Sequence, residues 1–385
     1  AMSRVAVVGS YNQDFIWRTD HFPLPGETRL GRFSTGPGGK GFNQAVAAAR
    51  QGVKVGFVAA LGRDAIGDNA AALAREEGID ARWQWCDDHA SGNAAIVLDA
   101  SGQNLIIVGS GANMALQAAH VDAQADLIRD AAVLLTQHEV APDATRRALE
   151  LARAANVLTV HNPAPALIGE DGALLPLVDV LTPNETEFAH LLAAHAGLDI
   201  NPATLGALDD AQLQALAERL PVPSLVLTLG AAGAFVCHRP ATRFSATDSC
   251  QRVPAAAVTP VDTTGAGDAF NGALAAALAV SSDADFIDAV HYANRVAGLA
   301  TESPGASSAM PGREAVAARF GWARGSSRRR KGTFRRQSLR RRISYPRLLQ
   351  SADATGLLLL PDTAGAGADG RCHRQAVPNA VPGGR

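Results

Sequence analysis

The residues best suited to chemistry lie in one stretch, residues 261–278, which reads VDTTGAGDAFNGALAAAL. A Gly-Ala-Gly turn followed by strong helix formers places Asp268 in the first turn of a helix. The amides of Ala266, Gly267 and Asp268 then point out of the helix N-terminus, where the dipole favours an anion and glycine admits a phosphate close to the backbone. The stretch is therefore a candidate phosphate site that also holds a carboxylate.

Two interpretations of Asp268 follow from this stretch alone. As a helix-capping acid, it would only satisfy backbone amides at the helix start. As a general base, it would take a proton from a substrate hydroxyl while the neighbouring amides stabilise a transferring phosphoryl group. The glycines that flank Asp268 favour the second interpretation.

The elements that must position this stretch alternate between strand and helix signals along the chain. The first strand, residues 4–10, is β-branched and ends in a glycine, which is typical of a strand buried on both faces. Alternation at this spacing predicts an α/β fold, with a parallel sheet covered by helices. The remaining predicted segments are strands 55–60, 132–136, 157–160, 178–182 and 225–229 and helices 46–50, 70–77, 143–155 and 286–301.

Polar residues follow several of these strands, and ligands of open α/β sheets gather at such strand ends. Asn12 and Asp14 follow the first strand, and Glu139 follows the strand that ends at Thr136. Taken alone, these are also compatible with an ordinary polar turn and a solvated loop acid. Asn184 and Glu187 open a helix, where a capping arrangement is an equally simple interpretation.

The glycine-rich segment 36–45, GPGGKGFNQA, invites comparison with a P-loop. That motif fails here, because Ser34 stands where its first glycine should be and Gly41 follows Lys40. The glycines instead permit close backbone approach, while Lys40 and Asn43 offer donors that suit sugar hydroxyls.

Together, DTTGAGDAFNGAL and GGKGFNQA resemble the two signature motifs of the ribokinase-like (PfkB) carbohydrate kinases. The resemblance extends to about Phe320 and implies that Asp268 is the catalytic base, assisted by the amides of Gly265, Ala266 and Gly267. The sugar site that it implies comprises Asn12, Asp14, Gly39, Lys40, Gly41, Asn43 and Glu139. The implied nucleotide site comprises Asn184, Thr228, Gly230, Gly233, Gly267 and Asn294, with Glu187 acting indirectly on Mg²⁺.

A monovalent cation site is also implied by the resemblance, with Asp262, Thr264, Ala300, Ser303 and Gly305 as K⁺ ligands. Oxygen ligands suit K⁺, and backbone carbonyls persist through changes of side chain. The last ligand in the family is a serine hydroxyl, however, and Ala309 has none. Activation by K⁺ is therefore in question unless Ser307 or Ser308 takes this place.

The resemblance implies a doubly wound, mostly parallel sheet flanked by helices, with a small β-sheet lid formed by residues 15–35 and 81–108. Such lids often meet a second subunit, so a homodimer is expected. Phe42 stands where the family usually has alanine, and a ring beside Asn43 is expected to reshape the sugar pocket. The kinase domain is expected to span residues 1–320.

Composition sets limits on the class of protein. With 47% hydrophobic and 19% charged residues, the chain is globular, and it has neither a bilayer-length apolar run nor a signal-peptide pattern, so a cytoplasmic location is expected. Its four scattered cysteines suggest neither a disulfide framework nor a zinc site.

Residues 321–385 form a basic extension with 14 Arg and Lys against three acids, and its low complexity predicts disorder. Two interpretations of this extension remain open. It could bind nucleic acid through its arginines, which the lack of interleaved aromatic residues disfavours, or it could be a product of read-through or a frame change.

The activity implied by the resemblance is ATP-dependent phosphorylation of the primary hydroxyl of ribose, with Mg²⁺ as cofactor. Phosphorylation of a nucleoside or another sugar is the alternative within the family. A non-catalytic sugar or nucleotide sensor is the alternative from another class, although the presence of Asp268 argues against it.

Overall fold

The fold is described from a computed structural model, which describes residues 4–321 except 167–170, 241, 245–248 and 281–285. The predicted extension beyond residue 321 lies outside the described residues. The strands are β1 (Arg4–Val8), β2 (Asn12–Arg18), β3 (Arg32–Gly38), β4 (Lys54–Gly62), β5 (Asp80–Cys86), β6 (Asn93–Leu98), β7 (Asn104–Gly109), β8 (Val133–Thr136), β9 (Leu158–His161), β10 (Val180–Leu181), β11 (Ser224–Thr228), β12 (Ala234–His238) and β13 (Ser249–Val253).

The helices cover both faces of the larger sheet. They are α1 (Lys40–Arg50), α2 (Ala65–Glu76), α3 (Ala118–Ala123), α4 (Ala125–Arg129), α5 (Pro142–Ala154), α6 (Glu185–Ala196), α7 (Pro202–Leu205), α8 (Asp210–Ala217), α9 (Ala266–Val280), α10 (Phe286–Ala300) and α11 (Arg313–Phe320). Within the described ranges, no helix has the length and apolar composition needed to cross a bilayer.

Nine described strands form the large sheet in the order β13-β12-β11-β10-β9-β8-β1-β4-β5. The pairs from β11 to β5 are parallel, whereas β12 and β13 add an antiparallel edge. The chain runs outward from β1 to β4 and β5, and later outward in the other direction from β8 to β11. The order therefore reverses between β1 and β8, which is where ligand crevices form in doubly wound sheets.

Alternate residues of β1 enter two separate hydrophobic cores. Val5 and Val7 pack into one core with α1, α9 and α10, while Ala6 and Val8 pack into the other with α5 and α6. A strand covered on both faces must be apolar throughout, which explains the β-branched run in the sequence. The predicted doubly wound architecture is confirmed.

The small sheet has the order β3-β2-β6-β7 among the described strands, with β2 and β6 parallel and the outer pairs antiparallel. Its boundaries correct the expected ones. The hairpin strands reach from Asn12 to Gly38, beyond the expected 15–35. The expected second segment, 81–108, also contained most of β5, which pairs with β4 in the large sheet.

Two other expectations from the sequence were wrong. Phe42 is buried in the core against the rings of Tyr11 and Phe57, at centroid distances of 5.1 and 6.2 Å, and does not line the sugar pocket. Cys237 and Cys250 form a disulfide that joins β12 to β13. Their 13-residue separation matches no short cysteine motif, so only the strand register reveals the pairing.

Candidate active site

The site lies beyond the carboxyl ends of β1, β8, β9 and β10, where the switch in strand order opens a crevice. The Oγ of Ser10 donates a hydrogen bond to Glu139 Oε2 at 2.6 Å, which bridges the segments that follow β1 and β8. The same carboxylate oxygen accepts the amide of Lys40 at 2.9 Å. Glu139 thus satisfies one of the free amides at the start of α1, a role that its position in a loop did not predict.

The helix α1 begins earlier than expected, because Lys40 is its first residue rather than part of an irregular loop. Gly39 precedes it with φ of 86°, in the region that favours glycine, and a side chain there would collide with the backbone of Tyr11 and Asn12. This close approach brings Lys40 and Asn43 into the crevice on the first turn of a rigid helix.

Asp268 is buried in the first turn of α9, as predicted, and its carboxylate is held from α1. Asn43 Nδ2 donates to Asp268 Oδ2 at 2.9 Å, and Gln44 Nε2 donates to Asp268 Oδ1 at 2.9 Å. The Oδ1 of Asn43 is buried and has no hydrogen-bond partner in the described chain. Because a buried acceptor without a donor is costly, Asn43 offers a place for a ligand hydroxyl next to the carboxylate.

The amides before Asp268 are arranged at the helix start. The amide of Ala266 donates to the Thr263 carbonyl at 3.2 Å, whereas the amides of Gly267 and Asp268 make no hydrogen bond within the described part of the chain. Gly267 is exposed, and the space where its side chain would stand is open. Gly265 has φ of 74°, which turns the chain sharply into α9. These features leave room for an anion at this helix N-terminus.

Asn12 and Asp14 enter the crevice from β2. Asn12 is buried and accepts a hydrogen bond from Asn113 Nδ2 at 2.9 Å. Burial, together with the nearby charges of Glu139 and Asp268, raises the pKa of Asp14 to about 6. These three carboxylates therefore share one poorly solvated region, which would favour a ligand rich in hydroxyl donors.

Lys40 is the basic group of this region. Burial disfavours its charged form, but the carboxylates of Asp268, Glu139 and Glu187 outweigh burial and raise the pKa of Lys40. Its ammonium group therefore remains charged at neutral pH and balances part of the negative charge.

The expected nucleotide residues gather around the ends of β10 and β11. Asn184 and Glu187 form a reciprocal capping box at the start of α6, with both backbone contacts at 2.9 Å. Asn184 also pairs with Thr228 in an isolated parallel bridge. Burial raises the pKa of Glu187 to about 6, against the opposing effects of the Asn184 amide and of Lys40. The capping interpretation is therefore confirmed. In this position Glu187 lies close enough to Lys40 and Asp268 for their charges to affect its pKa.

Gly233 and Asn294 meet at the other end of this region. Asn294 Nδ2 donates to the Pro254 carbonyl at 3.0 Å, and a side chain on Gly233 would collide with the backbone at Val253 and Ala255. Gly230 lies in the exposed turn that connects β11 to β12. Gly233 and Asn294 thus both contact residues 253–255, at the end of β13.

The expected cation ligands cluster around Asp262. Its carboxylate accepts the amides of Thr264 and Gly305, each at 2.9 Å. Burial opposes the charged form, but these hydrogen bonds outweigh it and lower the pKa of Asp262. Gly305 has φ of 102°, and the Ala300 carbonyl accepts the Ser303 amide at 3.3 Å. The charged carboxylate suits a cation, but both of its oxygens already accept amide protons.

Of the two serines proposed to replace the missing hydroxyl at Ala309, Ser307 is buried and donates to the Pro37 carbonyl at 3.0 Å. This bond ties the segment after α10 to β3. Ser308 is exposed. The residues present therefore fit a K⁺ site in charge and in oxygen content. The hydroxyl of Ser307 is already used by Pro37, and the Oγ of Ser308 lies beside Gly305.

Comparison with known proteins decides the family. Residues 2–313 match the profile of the pfkB family carbohydrate kinases. The chain belongs to this family. It is 35% identical to the ribokinase of Mus musculus over 309 residues, which cover 80% of this chain and 91% of the mouse enzyme. It is 34% identical to the ribokinase of Haemophilus influenzae over 312 residues, which cover 80% of this chain and 96% of that enzyme.

A solved structure supports the same assignment. The ribokinase of Arabidopsis thaliana, solved in complex with ribose and ATP, superposes with a TM-score of 0.72 at 27% identity, covering 83% of this chain and 98% of that one. The expected sugar kinase fold is confirmed by these likenesses.

Sequence reasoning assigned no role to several residues that this kinase places around Asp268. Gln44, Gln137 and Asn162 are all buried and joined by hydrogen bonds. Gln44 lies inside the GGKGFNQA motif, beside Asn43, and Gln137 lies two residues before Glu139. Asn162 follows β9 directly, so a polar residue at the end of a buried strand was the available signal.

Proposed function

We propose that the chain transfers the γ-phosphoryl group of ATP to the primary 5-hydroxyl of D-ribose, giving ribose 5-phosphate and ADP. The kinase relatives support this proposal, and one observation carries it. The Nδ2 of Asn43 donates to the buried carboxylate of Asp268, while the Oδ1 of the same side chain has no partner in the described chain. A sugar hydroxyl that donates to this oxygen would lie next to the base.

In the proposed reaction, Asp268 takes the proton of the ribose hydroxyl as its oxygen attacks the γ-phosphorus and the bond to the β-phosphate oxygen breaks. The amides of Gly265, Gly267 and Asp268 stabilise the charge on the transferring group. Phosphoryl transfer depends chiefly on positioning and charge, so one base and one anion site suffice.

The sugar would be held by the side chains of Asn12, Asp14, Asn43 and Glu139, and by the backbone at Gly39 and Gly41. The ionised Asp14 would accept sugar hydroxyls, since carboxylates are strong acceptors. Lys40, which the sequence assigned to the sugar, also feels Glu187 on the nucleotide side. We therefore place its ammonium group where it can serve both substrates.

ATP would lie along Asn184, Thr228, Gly230, Gly233, Gly267 and Asn294. Mg²⁺ would be carried by the phosphate oxygens, with Glu187 acting through the metal's water, because Mg²⁺ keeps much of its hydration shell. K⁺ would bind beside Asp262, Thr264, Ala300, Ser303 and Gly305, with Ser307 or Ser308 in place of the hydroxyl missing at Ala309. The charge that Mg²⁺ supplies would offset the developing charge of the phosphates.

A homodimer through the small sheet is part of this proposal. Its edge strand β7 is exposed along its whole length, and Leu105, Ile106, Ile107 and Val108 are each 52% exposed or more. An open strand edge with apolar residues favours pairing with a second copy. Light scattering of the wild type and of Ile107→Lys would test it, with a monomeric wild type as the contrary result.

Because ATP is the co-substrate, we place the enzyme in the cytoplasm, which fractionation of expressing cells would test.

The experiment that tests the function is ADP release with Mg²⁺ and ATP across a panel of pentoses, hexoses and nucleosides, each with and without K⁺. We expect ribose to give the highest kcat/KM, with further stimulation by K⁺. Preference for a nucleoside or another sugar would overturn the choice of substrate and retain the mechanism. No turnover on the whole panel would overturn the kinase proposal in favour of a non-catalytic sugar or nucleotide sensor.

A further inference from the structure

Gln44 is completely buried on α1, and each polar atom of its side chain is used within the protein. Its Nε2 donates to Asp268 Oδ1 at 2.9 Å and to Asn162 Oδ1 at 3.0 Å. Its Oε1 accepts a hydrogen bond from Gln137 Nε2 at 2.6 Å. Both N–H groups of Gln44 are therefore used within the protein, and its oxygen is buried against Gln137.

The direction of these hydrogen bonds is fixed by the residues behind Gln44. Asn162 Nδ2 donates to the Thr182 carbonyl at 2.9 Å, so the Asn162 oxygen faces Gln44. Gln137 Oε1 is buried without a partner in the described chain, an energetic cost that turning the Gln137 amide would not remove. Turning the Gln137 amide would place its oxygen against the Gln44 oxygen, and two acceptors cannot form a hydrogen bond. Gln44 cannot turn to compensate, because both of its N–H groups already donate to Asp268 and Asn162. The arrangement holds the amide of Gln44 toward Asp268.

Backbone contacts bring these groups within reach of one another. At Gly272 on α9, a side chain would collide with the Gln44 carbonyl and would lie 2.6 Å from Cβ of Ala47. At Gly9, a side chain would collide with Gln137 Oε1 and would lie 2.7 Å from Cα of Gly41. At Gly272, α1 and α9 cross at a separation that only glycine permits. This separation sets the distance between Gln44 on α1 and Asp268 on α9.

We propose that Gln44, braced by Gln137 and Asn162, is a positioning residue that orients the Asp268 carboxylate toward the sugar hydroxyl. This inference rests on the proposed function, in which Asp268 is the base. Asn43 differs from Gln44, because its free acceptor belongs to the substrate site. Gln44 acts on the reaction only through Asp268.

The charges around Asp268 give this contact a second consequence. Asp14 on β2, Lys40 on α1 and Glu187 on α6 interact electrostatically with Asp268, and Glu139 after β8 interacts with Asp14 and Lys40. Two of the three groups that interact with Asp268 are carboxylates, which disfavour a further negative charge. A donor such as Gln44 stabilises the charged carboxylate against them.

The test compares Gln44→Met with Gln51→Met. Gln51, directly after the last residue of the same helix, is a matched control, since it is also buried and its side chain makes three hydrogen bonds, to Ala47, Pro311 and Tyr292. We expect Gln44→Met to lower kcat about 10- to 100-fold, with the KM for ATP changed by less than about threefold. The acid limb of its pH–rate profile should move up by about one unit, because the charged carboxylate loses a donor. Gln44→Glu should move it further.

Gln51→Met should lose thermal stability to a similar degree without moving the profile. Equal effects of Gln44→Met and Gln51→Met on kcat, with both pH profiles unmoved, would overturn the proposal. If Gln44→Met does not fold, Gln137→Met decides instead, because it leaves Gln44 in place and removes its brace. A shift in the same direction supports the proposal, and an unmoved profile contradicts it.

A second measurement separates this inference from the proposed function. The ¹³C carboxyl signal of Asp268, assigned by its absence in Asp268→Asn, is titrated in the resting protein without any substrate. Its pH midpoint should be higher in Gln44→Met than in the wild type, and an equal midpoint would overturn the role of Gln44. If no sugar is phosphorylated, the proposed function fails while this midpoint still reports on Gln44.

Discussion

The two halves of the site are held in different ways. On the sugar side, hydrogen bonds join residues far apart in the chain: Asn43 and Asp268 are 225 positions apart, and Lys40 and Glu139 are 99 apart. On the nucleotide side, Asn184 and Glu187 satisfy each other within one helical turn. Asn294 anchors a loop by donating to backbone carbonyls.

This difference bears on what each half can do before a ligand arrives. The long-range bonds of the sugar side form only when the whole fold is in place, and they hold the base in a defined direction. The nucleotide side combines local caps with glycine turns, whose backbone can adapt to a ligand. Changes on the sugar side should therefore impair the chemical step, whereas changes on the nucleotide side should alter affinity for MgATP.

The largest effect is expected from Asp268→Asn. It should lower kcat by about three orders of magnitude or more, because the only proposed base is lost, with little change in the Kd for ATP. Single-turnover kinetics and ATP titration measure the two quantities. A melting temperature within a few degrees of the wild type excludes misfolding as the cause. Near wild-type turnover would remove the distinction between the two halves.

Asp14→Asn should separate stability from sugar binding. The raised pKa of Asp14, about 6 against its usual 3.8, means that the folded state favours the protonated carboxyl. Its contribution to stability is therefore greatest below pH 3.8 and is lost as the pH rises through 6, leaving a cost of about 3 kcal/mol at neutral pH. Asp14→Asn should remove this cost, so its melting temperature should exceed that of the wild type at pH 7.5 and match it near pH 3.

The same variant should raise the KM for ribose about 10-fold or more, because the charged acceptor is lost. In the wild type, the KM for ribose should rise as the pH falls below 6. Asp20→Asn, at an exposed acid in the neighbouring loop, is the control and should change neither property. A less stable Asp14→Asn at pH 7.5 would show that Asp14 is better compensated than its burial indicates.

Part of the fold and of the candidate site could be predicted from the sequence alone. Asp268 at a helix start, the polar residues after strand ends and the alternation of strands and helices all follow from local pattern, since each depends on spacing along a short segment; the doubly wound order of the sheet was implied only by the family resemblance. The capping box at Asn184 and Glu187 is equally local and was weighed from the sequence. These features survive in the structure because their contacts lie within a few residues.

The parts that could not be predicted depend on distant pairings. No pattern near Gln44 shows that it faces Asp268, because that contact requires α1 and α9 to cross at Gly272. The place of Asp80–Cys86 in the large sheet depends on its pairing with β4. The core position of Phe42 depends on Tyr11 and Phe57, and the Cys237–Cys250 bond depends on the register of β12 and β13.

Glu187→Gln sharpens the comparison on the nucleotide side. Glutamine preserves the capping box, so the helix start should remain intact while the charge near Mg²⁺ is lost. The Mg²⁺ concentration for half-maximal rate should rise about 10-fold, with kcat reduced only a few-fold. In the wild type, the same concentration should rise as the pH falls below the pKa of Glu187, about 6. Glu185→Gln, at the other acid in this turn, is the control. An equal effect of Glu187→Gln and Glu185→Gln would indicate that any negative charge at the start of α6 assists Mg²⁺, and would contradict a specific role of Glu187.

The smallest effect is expected from Asn184→Ala, which tests whether the capping residue also serves the nucleotide. Removal of an N-cap costs about 1 kcal/mol, so the free energy of unfolding should fall by that amount. Asp209→Ala is a matched control, because Asp209 forms the same reciprocal box with Gln212 at the start of α8. Both variants should lose similar stability in chemical denaturation, but only Asn184→Ala should raise the KM for ATP, by a few-fold. If the two variants keep the same KM, Asn184 acts only as a cap, and the nucleotide side relies on its glycine turns and Glu187.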